Sequence, residues 1–274
     1  MAASFKNSSH SKCWLLPKKE VLKSNASDIV ATSRDEILKL RLYFVEMMHH
    51  MGKELKLRQR VISSAVVFFK RFYLKRSFGE YDPRIIAITL LFLAAKVEET
   101  YLNAKFFVKS VKEDDLLRPL YKSLNIETET LLRFEFQIME ALNFNLIVFH
   151  PYRPITRILE GMGEKRLLQM AWSIANDSYR TDLCLEHAPA KIAVAVIYLS
   201  MVLNDYDQKA RDSFLQQVRI SGEGGPEVDE VLEISGRLVE LYRYYSQNGK
   251  GDKLSASKVL SILEKLRKLS PAGK

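Results

Sequence analysis

Asp82-Pro-Arg-Ile-Ile-Ala-Ile-Thr-Leu-Leu-Phe-Leu-Ala-Ala-Lys-Val-Glu-Glu99 decides the fold of this 274-residue chain. Asp82 suits a helix N-cap, and Pro83 suits the first turn, where its missing N–H has no partner to lose. From Ile85 to Ala95 there is no charge, and Thr89 is the only polar residue. A helix that is apolar all round has to be enclosed by other elements, so this one is a hub. It is too short to cross a bilayer, which takes about 20 apolar residues. The character then flips: Lys96, Glu98 and Glu99 end the helix in charge, with Val97 among them. A buried rod can hold such tip residues rigidly for a partner; the alternative is a merely solvated helix end.

Outward from the hub the pattern stays helical. Thr32-Ser33-Arg34-Asp35-Glu36 is a helix start, a hydroxyl followed three residues later by an acid. The helix it opens carries Ile37, Leu40, Phe44, Val45 and Met48 and runs to Gly52. His49 and His50 fall in it; adjacent histidines point apart, so they are read as surface or packing residues. Arg58 to Arg76 forms a second helix. After the hub come a short helix over Phe106 to Val111, a loop or broken helix around Pro119, and a long helix from Ile126 to Phe144. His150-Pro151-Tyr152-Arg153-Pro154 interrupts the run and marks a domain boundary. Helices resume over 155–162, 165–179, 189–202, 208–218 and 228–245, with a loop over 222–226. A last amphipathic helix places Val259, Leu260, Leu263, Leu266 and Leu269 on one face. No stretch reads as a strand.

The composition agrees. Hydrophobic residues make up 47%, enough for a large core, while 11 Gly and 8 Pro are few for an all-β protein. Cys13 and Cys184 lie far apart and form neither a metal-ligand spacing nor a disulfide framework, which suits a reducing compartment. Met1 to His10 is polar, so no signal peptide is expected. The net charge of +9 admits nucleic acid, acidic proteins or anionic membranes as partners, but the cations are spread along the chain rather than gathered in a basic tract.

The hub occurs twice. Pro83-Arg-Ile-Ile-Ala-Ile-Thr-Leu-Leu-Phe-Leu lies on Pro189-Ala-Lys-Ile-Ala-Val-Ala-Val-Ile-Tyr-Leu with Pro, Ile, Ala and the final Leu coincident and Phe92 on Tyr198. The expected architecture is all-α: two tandem five-helix bundles, each around a buried third helix. The expected divisions are an arm with a short helix over 1–30, bundles over 31–148 and 149–246, and a linker with a terminal helix over 247–274. The copies differ where it matters. Lys96 falls on Val202, and laying Met139-Glu140 on Val239-Glu240 puts Glu135 on Ser235. A core requirement belongs in both copies, so a Lys/Glu pair present in one points to a function on one face of the first bundle; ordinary drift after duplication is the alternative.

These residues resemble the cyclin family. The repeat is similar to the double cyclin box. Leu91-Phe-Leu-Ala-Ala-Lys-Val-Glu-Glu99 resembles the end of the third cyclin-box helix, and Leu132-Arg-Phe-Glu135 resembles the fifth. Within the family the similarity is strongest to the cyclin C type of transcriptional cyclin. It is carried by Phe149 to Pro154, by Asn176-Asp-Ser-Tyr-Arg-Thr-Asp-Leu-Cys-Leu185 and by Phe5 with Ser8-Ser9-His10, and it covers residues 4 to 245 or so. Leu40-Arg-Leu-Tyr-Phe44, Met47 and Arg84 depart from the substrate-docking patch of the cell-cycle cyclins, and Ala188-Pro-Ala-Lys191 departs from the cyclin C pattern.

The resemblance implies a regulatory subunit with no catalysis of its own and no cofactor or metal. Its partner would be a cyclin-dependent protein kinase of the Mediator-associated type, with further Mediator kinase-module subunits, in the nucleus, without a membrane and without direct nucleic-acid contact. Kinase binding would fall to Lys96, Val97, Glu135, Met139, Phe144 and Leu146. Phe5 and Trp14 of the arm would add a kinase contact. Tyr152, Arg153, Asp177, Tyr179, Arg180 and Asp182, near the junction of the boxes, would bind another subunit or brace the boxes internally. Other readings are a cyclin H type subunit of the kinase-activating transcription-factor complex, and a DNA-binding factor of the TFIIB type.

Overall fold

The structure is a computed structural model that describes residues 4–24, 26–124, 126–220, 226–248 and 254–269. It is all-α, with no strand among the described residues. After a 3-10 turn at Phe5–Asn7, the helices in chain order are α1 (Ser9–Cys13), α2 (Lys18–Lys23), α3 (Ala26–Ala31), α4 (Arg34–Glu54), α5 (Gln59–Lys75), α6 (Pro83–Val97), α7 (Ala104–Glu113), α8 (Arg118–Tyr121), α9 (Thr128–Ala141), α10 (Tyr152–Met162), α11 (Arg166–Ser178), α12 (Leu183–Glu186), α13 (Pro189–Leu203), α14 (Gln208–Ile220), α15 (Val228–Asn248) and α16 (Ala256–Leu269). They form two compact units: Pro17–Val148 with Asp252–Lys274, and Met1–Leu16 with Phe149–Gly251. The amino-terminal arm completes the unit of the second hub, and α16 completes the unit of the first.

In the first unit α6 is the hub, packed by α4, α5 and α9. Every residue from Ile86 to Ala95 is at most 3% exposed, and each large apolar side chain so buried contributes about 1.5–3 kcal/mol. Thr89 is accommodated because its hydroxyl donates to the Ile85 carbonyl at 2.8 Å. Ser33 and Glu36 close a reciprocal capping box at the start of α4, as the sequence spacing predicts. Asp28 on α3 accepts from the Ser77 hydroxyl at 2.5 Å and from the Phe78 N–H at 3.1 Å, fastening α3 to the turn after α5. The segment around Pro119 is one helical turn, α8, with the proline in its first turn. From α16, Val259, Ile262, Leu263 and Leu266 are buried, while Lys265 pairs with Glu36 at 3.0 Å and Arg267 with Asp82.

In the second unit α13 repeats the arrangement, packed by α10, α11, α14 and α15. The loop at 222–226 falls almost wholly outside the described residues. The helix expected from Ile155 begins three residues earlier, at Tyr152, because Pro154 sits within its first turn, where a proline costs no hydrogen bond. The arm is bound to this unit by the Leu16 N–H on the Leu185 carbonyl, 2.8 Å, and by the Phe149 N–H on His10 Nδ1, 3.1 Å. Both hubs end alike. Thr100 N–H reaches back to Ala95 O and Glu99 N–H to Lys96 O; in the same way Tyr206 N–H reaches Met201 O and Asp205 N–H reaches Val202 O. The turning residues Glu99 and Asp205 are left-handed, with φ of 52° and 55°. This closing motif satisfies carbonyls that a helix end otherwise leaves open.

Candidate functional site

The tip of α6 fixes the first functional group. The Lys96 ammonium donates to both carboxylate oxygens of Glu135, on α9, at 2.8 Å each. It also lies 4.6 Å from the centroid of the Phe92 ring, one turn back on its own helix, a geometry in which the ring face attracts the cation. The Lys96 side chain is 47% exposed and that of Glu135 only 10%. The carboxylate is thus the buried anchor, and the ammonium is the part presented to solvent.

The neighbouring acids divide in role. Glu98 turns inward: its Oε1 accepts from the Ser64 hydroxyl at 2.7 Å, and its Oε2 meets Arg60 Nε at 2.6 Å, both on α5. Glu99 is the left-handed residue that ends the helix. Glu98 is thereby neither a solvated helix end nor a bare contact residue, a distinction that its position in the sequence leaves open.

Beside the pair lies an exposed apolar surface. Phe136 is 61% exposed, Phe144 59%, Ile147 57% and Leu132 47%, and the rings of Phe136 and Phe144 meet edge to face with centroids 6.4 Å apart. Val97, Met139 and Leu146 are half-buried. Phe144 holds a left-handed conformation, φ 55°, just after α9. An aromatic residue adopts that conformation at a cost of order 1–3 kcal/mol, and only where its surroundings impose it. Exposed aromatic surface of this kind is characteristic of an interaction site. Leu132 and Phe136, one turn apart on α9, and the exposed Ile147 are not among the residues selected from the sequence. A signal exists: α9 already buries Leu131, Ile138 and Ala141, so Leu132 and Phe136 are more apolar surface than its core face needs.

The second unit lacks the pair in space as well as in sequence. Val202 is a half-buried apolar residue, and the Ser235 hydroxyl donates to the Ala195 carbonyl at 3.3 Å.

The arm residues belong to the other unit. Trp14 is 2% exposed, so its indole is an internal anchor and not the outward kinase contact that the resemblance implies. Phe5 is half-buried, edge-on to Phe149 with centroids 5.4 Å apart. Of the polar-aromatic set, Tyr152 donates to Asn176 Oδ1 at 2.8 Å, and Tyr179 shares a 2.5 Å hydrogen bond with His150. Asp177 accepts from Arg180 at 2.6 Å and from Tyr242 at 3.0 Å. These bonds run within the second unit. Asp182 precedes α12 and Arg153 is exposed on α10.

Residues 11–147 match the family Cyclin, N-terminal domain. The Cyclin-C of Drosophila melanogaster is 33% identical, covering 99% of this chain and 98% of the relative. The Cyclin-C1-1 of Oryza sativa subsp. japonica is 36% identical, covering 97% and 98%. Among solved structures, a chain of the CAK complex from Chaetomium thermophilum bound to ATP-gamma-S superposes with a TM-score of 0.71 at 20% identity, covering 98% of this chain and 90% of that one. A chain of the yeast RNA Pol II CTD kinase CTDK-1 complex gives 0.67 at 17% identity, covering 95% and 85%.

Proposed function

Because the chain belongs to the cyclin family, whose members are regulatory subunits of protein kinases rather than enzymes, we propose that it is the activating subunit of a Mediator-associated cyclin-dependent kinase in the nucleus. The kinase-contact surface in this reading is Lys96 and Glu135 with Val97, Leu132, Phe136, Met139, Phe144, Leu146 and Ile147. The observation that carries it is the Lys96–Glu135 pair, which one unit has and its structural duplicate lacks.

A protein kinase is active when the glutamate of its αC helix pairs with the lysine of strand β3, so αC position is the control point. A rigid surface that binds the inward αC better than the outward one shifts that equilibrium by its differential affinity. The exposed aromatic residues supply apolar area to desolvate, as interface centres do. The Lys96 ammonium, held from behind by Glu135, donates to backbone carbonyls of the kinase without first being ordered, which lowers the entropic cost of association. Relatives named Cyclin-C along the full length favour the Mediator-associated kinase over the kinase-activating complex, whose likeness here extends to fold.

The test is affinity capture from nuclear extract with the wild-type chain and Lys96→Glu, with kinases identified by mass spectrometry. The expected result is a cyclin-dependent kinase with Mediator subunits, lost in the variant. Recovery of the subunits of the kinase-activating complex would assign the chain to that complex instead. Recovery of no kinase would overturn the reading.

A further inference from the structure

We propose that Glu98 is a positioning residue of the kinase-contact surface: it clamps the last turn of α6 to α5, so that Lys96 and Val97 are presented in fixed places. The inference rests on the function proposed above, but its geometry stands alone. Glu98 lies one residue past α6, and its side chain is 9% exposed. Its two carboxylate oxygens are divided between Ser64, itself 0% exposed, and the Arg60 guanidinium. Charge-assisted bonds of this type are shorter and about twice as strong as neutral ones. The Arg60 side chain is 65% exposed, so its share is screened by solvent, and the buried Ser64 bond is the firmer of the two.

The internal duplication separates bracing from binding. The shift that carries Pro83 onto Pro189 carries Glu98 onto Asn204, Ser64 onto Met170 and Arg60 onto Arg166. In the second unit Asn204 also reaches back to the equivalent place, its Nδ2 standing 2.9 Å from Met170 Sδ and 2.8 Å from the Ser200 carbonyl. Both hubs therefore tie their last turn to the preceding long helix through the residue just past the helix end. Only the first uses a carboxylate with two donors, and only the first carries the Lys/Glu pair, whose lysine stands two residues before it. The stronger brace stands where the tip has a second task.

Kinase affinity and dissociation rate are measured by surface plasmon resonance with the purified partner kinase, alongside the melting temperature of the free chain. The variants are Glu98→Ala, Ser64→Ala, Lys96→Ala, Lys96→Ala with Glu98→Ala, and Asn204→Ala as the brace of the other unit. Glu98→Ala is expected to weaken binding about tenfold, mainly in dissociation rate, with Glu98→Gln restoring most of the loss by keeping the Ser64 bond. Asn204→Ala is expected to lower the melting temperature without weakening the kinase complex. In the double variant the loss is less than the product of the single losses, because a tip without its ammonium gains nothing from being positioned. Full multiplicativity of the two losses, or unchanged affinity in Glu98→Ala, would overturn the proposal. If Lys96→Ala also binds as wild type, the surface assigned above fails as well; if only Glu98→Ala does, that surface stands and the positioning role alone is lost.

Discussion

The Lys96 ammonium spans both oxygens of the Glu135 carboxylate at 2.8 Å each, joining the tip of α6 to the middle of α9. The two partners are unequal: the carboxylate side chain is 10% exposed, the lysine 47%. Losing either breaks the same bonds, yet the cost falls on whichever group is left behind. Lys96→Ala strands a nearly buried carboxylate and is expected to cost about 1–3 kcal/mol of stability. Glu135→Ala leaves an ammonium that water can reach and is expected to cost less than about 1 kcal/mol. Urea unfolding of both variants measures the difference, and equal costs would contradict the burial asymmetry.

Phe136 has the opposite signature, large exposure with its ring edge-on to the equally exposed Phe144. Phe136→Ser is expected to leave the unfolding free energy within about 0.5 kcal/mol of wild type. The same change is expected to weaken the kinase complex at least about tenfold, since aromatic anchors dominate interface energetics. Calorimetric titration of the kinase together with a melt of the free chain checks both halves.

Gly52 faces Ile62 so closely that an added Cβ would fall inside the van der Waals contact distance of its Cγ1 and Cδ1. Ile62 is 2% exposed and has no solvent to retreat into. Gly52→Ala is therefore expected to destabilise by about 1–3 kcal/mol. Combining it with Ile62→Ala should recover part of that loss, measured as a favourable coupling in a double-mutant cycle.

Buried tyrosines are expected to lower stability at alkaline pH, with Tyr73, Tyr121 and Tyr242 among them. Burial raises the phenols of Tyr73 and Tyr121 well above their ordinary value, reinforced by the Asp82 charge. Burial raises Tyr242 too, followed by the charge of Asp177 and the hydrogen bond to it. A raised folded-state value means that the neutral form is favoured by folding. The stabilisation is complete below the unfolded value of about 10 and drains away as pH rises above it. Tyrosinate absorbance should therefore show a group that titrates together with loss of helicity, and Tyr242→Phe should shift that transition to higher pH.

Glu230 is expected to contribute to the loss of stability in acid. Burial works to raise its carboxyl, but hydrogen bonds from Lys191 and His187 and their charges outweigh that and lower it. A lowered value gives stability that is full above the unfolded value, about 4.3, and is lost as pH falls through the folded one. Glu230→Gln should thus be less stable than wild type near neutrality and converge with it in acid, a difference read from unfolding midpoints across pH.

Much of the molecule was legible in the residues, because local chemistry dictated it. The uncharged run from Ile85 to Ala95 could only be an enclosed helix, its recurrence at Pro189 made the architecture double, and Ser33 with Glu36 announced the start of α4. That Lys96 and Glu135 stand in one copy and not in the other was legible too, as was the contrast it offers between a partner's requirement and drift after duplication. Tertiary structure alone decided the rest. Whether Glu98 met water or Ser64, whether Trp14 turned inward, and that α16 belongs to the first hub's unit and the arm to the second's are questions of long-range proximity. Helical periodicity says which face of a helix is apolar; it does not say which neighbour covers that face, or that the Phe136 and Phe144 face is left uncovered.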